Sequence, residues 1–323
     1  GGGGASASGV RRGKVDPELE AALQKYEPVI GVEIHVQLAT QTKAYCRCST
    51  AYSPHAPNTN VCPVCMGEPG ALPVPNERVV ELSAKAGMAL GCRIAAETKW
   101  DRKNYFYPDT PKNYQITQYD RPIAEHGAVE LPSGKRVGIT RLHMEEDSAK
   151  MNHQGAEALA GSTHSLVDFN RAGTPLAEIV SEPDMRSGAE AAEYGRELQR
   201  VLRYLGASDG NMAEGSLRLD VNVSLRPRGS DELRTKARQG EIAKPPRGVE
   251  LKNLNSFKSV QEAVDFETVR QARAYDAAET VRQETRLWDE RERMTRIMRV
   301  KEGESDYRYF PEPDIPPLLL KAE

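Results

Sequence analysis

The chain has 323 residues, 38% hydrophobic and 28% charged, with a formal net charge of −3 and a mean hydropathy of −0.61. That length supports a sizeable core and excludes a fibre or a short disulfide-stapled module, and no run approaches the roughly 18 apolar residues that a membrane span needs. The acidic balance argues against a general polyanion binder, which depends on excess positive charge, and leaves room only for a local basic face.

The segment 1–25 is expected to be disordered, most clearly Gly1 to Lys14, where four glycines lead into Arg11, Arg12 and Lys14 with no acid and no apolar run. This composition fits the remnant of a transit peptide, and equally an appended linker or a floppy terminus. From Val29 to Leu38 the sequence alternates as a strand, with Glu33, His35 and Gln37 on one face and Val32, Ile34, Val36 and Leu38 on the other. A carboxylate and an imidazole thus share a surface.

The cysteines Cys46, Cys48, Cys62 and Cys65 follow, spaced C-x-C-x13-C-x2-C within a loop, 46–65, rich in Pro and Asn. Such paired thiolates suit a tetrahedral structural zinc that orders a loop with no core of its own; four reduced thiols or a redox pair are the alternatives. Five cysteines are too few, and odd in number, for a secreted disulfide framework, so a reducing compartment is expected. Cys92 reads as a plain buried thiol.

Asn76 caps a predicted helix carrying Val79, Leu82, Ala86 and Leu90 and ending at Gly91, and Ser187 with Glu190 heads a second, ending before Gly206. Strands are predicted at Val137–Met144, Thr174–Val180, Ser216–Leu225 and Val249–Leu254, with a basic surface loop at Arg226–Arg247 and a polar helix from Val260 to about Thr285. Strands outnumber helices and do not alternate with them. The expected class is therefore α+β, a large mixed or antiparallel sheet with flanking helices and a cysteine-bearing loop. One catalytic unit is expected over 26–315, with 316–323 beginning a linker.

The common nucleotide loops and hydrolase elbows are absent from the sequence. Instead, acids sit inside strand-like runs: Glu33 beside His35, then Glu145, Glu146 and Asp147, then Glu178, Glu214, Asp220 and Glu250. Any one of them is more simply read as solvated or salt-bridged. As a set, aimed at one surface together with Arg218, Asn222 and Lys252, they resemble a sheet-borne ATP site, with acids for metal and cations for phosphates, and hard oxygen ligands favour magnesium. Two aromatic stretches, Asp101–Asp120 and Asp306–Asp314, interleave rings with cations and suit a nucleobase or an unpaired nucleic-acid end; anchoring loops to the core is their plainer reading.

The runs VIGVEIHVQL (29–38), WDRKNYFYPDTPKNYQIT (100–117), GITRLHMEEDSAK (138–150), DFNRAGTPLAEIVSEPD (168–184), EGSLRLDVNVSLRP (214–227), ELKNLNSF (250–257) and KEGESDYRYFPEPD (301–314) together resemble the B subunit of the glutamyl-tRNA(Gln)/aspartyl-tRNA(Asn) amidotransferases, the GatB/GatE family. The resemblance covers nearly everything from about Tyr26 onward. It implies a kinase-like subunit of a heterotrimer, using ATP and magnesium to activate the side-chain carboxylate of Glu or Asp misacylated on tRNA as an acyl phosphate. Ammonia released from glutamine by a partner A subunit then forms the amide, with a C subunit completing the assembly.

Carried over by the resemblance, His35, Glu146 and Glu178 are expected to ligate magnesium. Glu33, Asp220 and Glu250 are expected to hold a second ion or orient the ATP phosphates. Lys252, Arg218, Asn253 and Glu214 are expected to contact phosphate, carboxylate or nucleotide. The four cysteines match a zinc loop that some members carry. The 226–247 loop is longer than the family leads one to expect, and the chain stops where the family continues into a helical domain and a tail domain that grip tRNA. The competing readings are a zinc-stabilised, non-catalytic tRNA-binding or assembly subunit and a two-metal phosphodiesterase. The basic start tilts the expected compartment toward a mitochondrion or chloroplast over a bacterial-type cytoplasm.

Overall fold

A computed structural model describes residues 16–53, 55–154, 163–229, 248–300 and 306–320. Its centre is a nine-stranded sheet. From edge to edge the order is β14 (Met294–Val300), β13 (Glu284–Asp289), β12 (Val249–Leu254), β11 (Leu217–Pro227), β1 (Tyr26–Gln37), β10 (Pro175–Ser181), β7 (Arg136–Glu146), β6 (Ala124–Glu130) and β2 (Arg93–Ile94). β12 and β13 run parallel and the other neighbours antiparallel, so the sheet is mixed, in an α+β fold.

The alternation in β1 decides how the layers form. Val32, Ile34 and Val36 are at most 1% exposed and meet Leu219, Val221, Ile179 and Ala177 of the neighbouring strands in one apolar face. Helices α3 (Glu77–Ala89), α4 (Gly188–Tyr204) and α5 (Phe257–Asp276) cover that face. Each begins where a side chain accepts a free amide, at Asn76, Ser187 and Ser256. A Cβ on Gly195 of α4 would come within 2.9 Å of Leu219, so its missing side chain is what brings the helix down onto the sheet. The opposite face carries the polar residues of these strands.

Three smaller sheets complete the described structure. One joins β15 (Phe310–Pro311), β4 (Asp101–Asn104) and β5 (Tyr114–Thr117); β8 (Lys150–Gln154) pairs with β9 (His164–Asp168), and β16 (Leu318–Leu319) with β3 (Glu97–Thr98).

Three sequence expectations change. Residues 17–25, placed in the disordered segment, form helix α1 (Pro17–Lys25), capped by Asp16 with Pro17 in its first turn and tied to α5 by a Lys25–Asp276 ion pair at 2.7 Å. The helix expected to reach Thr285 stops at Asp276, because Ala278 takes a left-handed φ of 57° and Glu284–Thr285 enter β13. Residues 318–319, expected in a linker, pair with β3, and Ile315 joins the main core. Residues 1–15 and most of the 226–247 loop lie outside the described residues; within that loop, Arg226 and Pro227 still belong to β11.

Candidate active site

Register places the polar residues in rows across the sheet. His143 of β7, Glu178 of β10, His35 of β1 and Arg218 of β11 are successive Cα partners, and Glu33 and Asp220 pair in the adjacent row. Because paired residues project to the same side, the middle row puts two imidazoles, a carboxylate and a guanidinium side by side. Glu145, two residues beyond His143, faces the same way.

His35, Glu145 and Glu178 converge: a ligand atom from each lies within 4.8 Å of the others. His35 Nε2 is 3.3 Å from Glu145 and 3.5 Å from Glu178, and His143 Nε2 is 2.9 Å from Glu178. Burial disfavours the His35 imidazolium, but the hydrogen bond and charge of Glu178 and the charge of Glu145 outweigh it, pushing the pKa up to about 9. Glu178 is likewise held well below the usual carboxylate range, against its burial, by His143 and His35. One imidazole and two carboxylates on rigid strands are a donor set that fits a divalent cation, with His143 beside them to orient Glu178.

Glu146, expected in this set, is elsewhere. It lines the cavity but does not converge with His35 and Glu178: its carboxylate is taken by the ammonium of Lys112 while its other oxygen is buried without a hydrogen-bond partner. Glu145 is the acid of this pair whose carboxylate lies near both His35 and Glu178.

Glu33, Asp220 and Glu250 do not converge in the same way. Among the described residues they form no group of ligand atoms as close as the first, and the Lys252 ammonium pairs with Asp220 and with Glu250, at 3.1 Å from the latter. Lys252 thus stands where a second cation was expected. Thr285 donates to Glu250 at 2.9 Å, and Asn222 donates to Glu33 at 3.3 Å. The carboxyl of Glu33 is raised by burial and by the charges of Glu178, Asp220 and Glu250.

A cavity of about 660 Å³ opens over these rows. His35, Glu145, Glu146, Arg218, Asp220, Lys252, Asn253 and Glu214 line it, which brings most of the expected residues together. Its size suits a nucleotide-class ligand. Asn253 sits at a bulge with φ 64° and spends its amide on the Trp288 carbonyl, 2.9 Å away.

Two lining residues have roles that the sequence did not assign. Asp147 is buried and anchors Arg218 at 2.8 Å; its carboxyl stays below the usual range despite burial because Arg218 and Arg171 face it. Lys103 reaches the cavity from β4. No apolar–polar alternation marks Asp101–Asn104, all four of which are polar, so its run reads as an aromatic loop.

The four cysteines cluster at the cavity wall. Their sulfurs lie within 4.8 Å of one another, which fits a tetrahedral zinc, and Cys65 also lines the cavity. The Cys46 thiol, the Cys62 amide and the Lys43 charge hold the Cys65 thiol down, to about 4. Lys43 itself is fully buried, donating to the Asn60 carbonyl at 2.9 Å. Gly173, at φ 87°, closes the turn here: a Cβ would already touch Cys65 and Lys43 at 3.4 Å.

Comparison with known proteins decides the family. Residues 28–323 match the GatB/GatE catalytic domain. The chain belongs to that family. It is 58% identical over 313 residues to the B subunit of the aspartyl/glutamyl-tRNA(Asn/Gln) amidotransferase of Thermosynechococcus vestitus, covering 94% of this chain and 60% of the relative. The corresponding protein of Nostoc punctiforme is 58% identical over 307 residues, and that of Synechococcus elongatus 57% over 302. These alignments cover 93% and 91% of this chain, and 60% and 58% of the relatives. This GatB/GatE chain therefore spans about three fifths of the length of the curated relatives it matches. Among the described residues no helix is long and apolar enough to cross a membrane.

Proposed function

We propose that this chain is the ATP-using part of a tRNA-dependent amidotransferase, converting Glu-tRNA(Gln), Asp-tRNA(Asn) or both to the amide-bearing forms. The observation that carries the reading is the convergence of His35, Glu145 and Glu178, two of which line the cavity, in a chain whose relatives are named for this substrate class. An oxygen of the aminoacyl side-chain carboxylate attacks the γ-phosphorus of ATP, the bond to the β–γ bridging oxygen breaks, and ADP leaves. Ammonia then adds to the acyl carbon, phosphate departs and a proton is lost, leaving the amide.

Within this scheme His35, Glu145 and Glu178 would hold magnesium, which when bound neutralises charge on the two anions brought together. Arg218, fixed by Asp147, and Lys252, fixed by Asp220 and Glu250, present cations at set positions on the floor, so little reorganisation remains for the transition state. The walls limit access of water to the reactive acyl phosphate. Zinc in the four-cysteine cluster would brace the wall at Cys65 and Gly173. A glutaminase A subunit is the partner this chemistry calls for, since nothing in the scheme generates ammonia, and a C subunit is proposed on the family resemblance alone. An organelle of bacterial descent, mitochondrion or chloroplast, is the proposed compartment on the composition of residues 1–14; cell fractionation checks it.

The test is phosphate release from ATP by the full chain assembled with its A and C partners, with ammonia supplied directly. Release and amide formation that both require charged tRNA support the reading. ATP turnover indifferent to charged tRNA, or amidation without ATP, would sink it.

A further inference from the structure

Resting on the zinc reading of the four-cysteine cluster, we propose that Lys43 is a positioning residue for that metal. Its ammonium holds the Cys65 sulfur by an N–H···S bond and offsets the negative charge that zinc and four thiolates carry together. A divalent ion cannot balance four thiolates, so the centre is doubly negative. Set into a protein wall, such a centre loses much of its hydration, at a cost that only a nearby cation and hydrogen-bond donors return.

Lys43 supplies both. It is 0% exposed, and its Nζ donates to Cys65 Sγ at 3.7 Å and to the Asn60 carbonyl at 2.9 Å. Among the described residues no carboxylate oxygen lies within ion-pair distance of this ammonium. A lysine taken out of water without a carboxylate needs another anion, and the sulfur cluster is the one it touches. The two burials therefore account for each other.

The rest of the residue is fixed on the same cluster. Its backbone amide donates to the Cys48 carbonyl at 2.9 Å, so Lys43 grips both cysteine pairs, one through the main chain and the other through the ammonium. The Cys62 amide adds a second donor to the Cys65 sulfur, at 3.2 Å. Asn60, which accepts from Lys43, is held in turn: its amide donates to Asn170 Oδ1 and its Nδ2 to the Ser49 carbonyl, both at 2.8 Å. Gly173 lies against the lysine stem, where a Cβ would stand 3.4 Å from Lys43 Cδ and from Cys65 Cβ. A neutral side chain of the same length would preserve this packing and leave the charge of the centre unopposed. Because Cys65 lines the cavity, that charge would also work against the anionic substrates proposed to meet there.

The experiment uses the full chain in its assembled complex, with the metal alone as probe. Competition with a chelator gives the zinc affinity, and cobalt(II) in place of zinc gives the sulfur-to-metal charge-transfer band. An N–H···S bond draws electron density from the thiolate and raises the energy of that band. Lys43→Met, which keeps the length and removes charge and donors, should bind zinc roughly 100-fold more weakly and move the cobalt band to longer wavelength. Lys43→Gln, a donor without charge, should lose roughly 10-fold and move the band less; its two readings decide the question if Lys43→Met does not assemble. Parent-like affinity overturns the assignment. So does weaker zinc binding with the band unmoved, which marks a prop for the loop and not a partner of the sulfur. A parent chain that takes up no zinc overturns the zinc reading itself, and this inference with it.

Discussion

The two faces of β1 are built from alternate residues of one strand and follow opposite rules. Val32, Ile34 and Val36 vanish under helices, matched by shape alone. Glu33, His35 and Gln37 lie on the polar face, where charge is matched residue by residue across four strands. The lesson is a division of labour: the apolar face supplies stability and fixes the register, and the register then sets the chemistry. A one-residue slip of β1 would exchange the two sets. Substitutions should therefore separate cleanly, with losses of activity on one face and losses of stability on the other.

The largest separation is expected at the converged set. His35→Ala or Glu145→Gln should lower tRNA-dependent phosphate release by roughly 1,000-fold or more, the equivalent of about 4 kcal/mol in the transition state, with melting temperature nearly unchanged. Glu146→Gln sharpens the same point: it frees Lys112 rather than removing a ligand, so divalent-cation binding, followed by calorimetry, should persist in this variant and fail in Glu145→Gln. Equal loss of cation binding in both would return Glu146 to the set.

On the other face, Ile34→Ala should cost about 2–5 kcal/mol, because its side chain is fully buried and the surrounding sheet cannot collapse around the void. Activity per folded molecule should hold. Urea denaturation beside active-site titration reads both numbers, and a catalytic defect without a stability defect would break the division.

The helix layer has one misfit of its own. Burial pushes the carboxyl of Asp265 on α5 up to about 6 from an ordinary 3.8, against the Gly188 amide that donates to it. As pH rises the unfolded chain ionises Asp265 first and the folded chain resists, so stability drains away between pH 4 and 6 and stays lost above. Asp265→Asn keeps an acceptor for Gly188 and removes the charge. It should stabilise by at most about 3 kcal/mol at pH 8, with the gain shrinking to nothing near pH 4; a gain independent of pH would point to another cause.

Much of this was legible in the sequence, and the failures have physical reasons. The bounds of Val249–Leu254 follow from its alternation intact, and those of β1, β10 and β11 to within a few residues, because alternation survives wherever one face is buried. The acid pair Glu145–Glu146 shows the limit. A motif carries both, and only strand direction, with His143 two residues before Glu145, tells which one joins His35. Asp16, Pro17 and Glu18 form a full helix-start signal that was lost beside a glycine-rich neighbour. The end of α5 carried no such signal, since Ala278 takes the left-handed turn that usually marks a glycine.

The smallest effect tests whether the cysteine loop belongs to the stability layer or to the site. Asn76 serves both: its Oδ1 accepts the Arg78 amide at 2.9 Å to start α3, and its Nδ2 donates to the Thr42 carbonyl, the Thr42 hydroxyl and the Lys43 carbonyl at 3.1–3.3 Å. The Asn76 amide also donates to the Ala44 carbonyl at 2.9 Å, a bond that any residue here retains. Asn76→Ala should cost about 1 kcal/mol from the lost cap, plus what holding the loop contributes. Asn76→Ser keeps an acceptor for α3 and drops the links to Thr42 and Lys43. If the loop is braced chiefly by its thiolates, Ser should restore nearly all the stability and leave zinc retention against a chelator as in the parent. A Ser variant that regains the helix yet sheds metal faster would show that α3, on the far side of the division, holds the cavity wall as well.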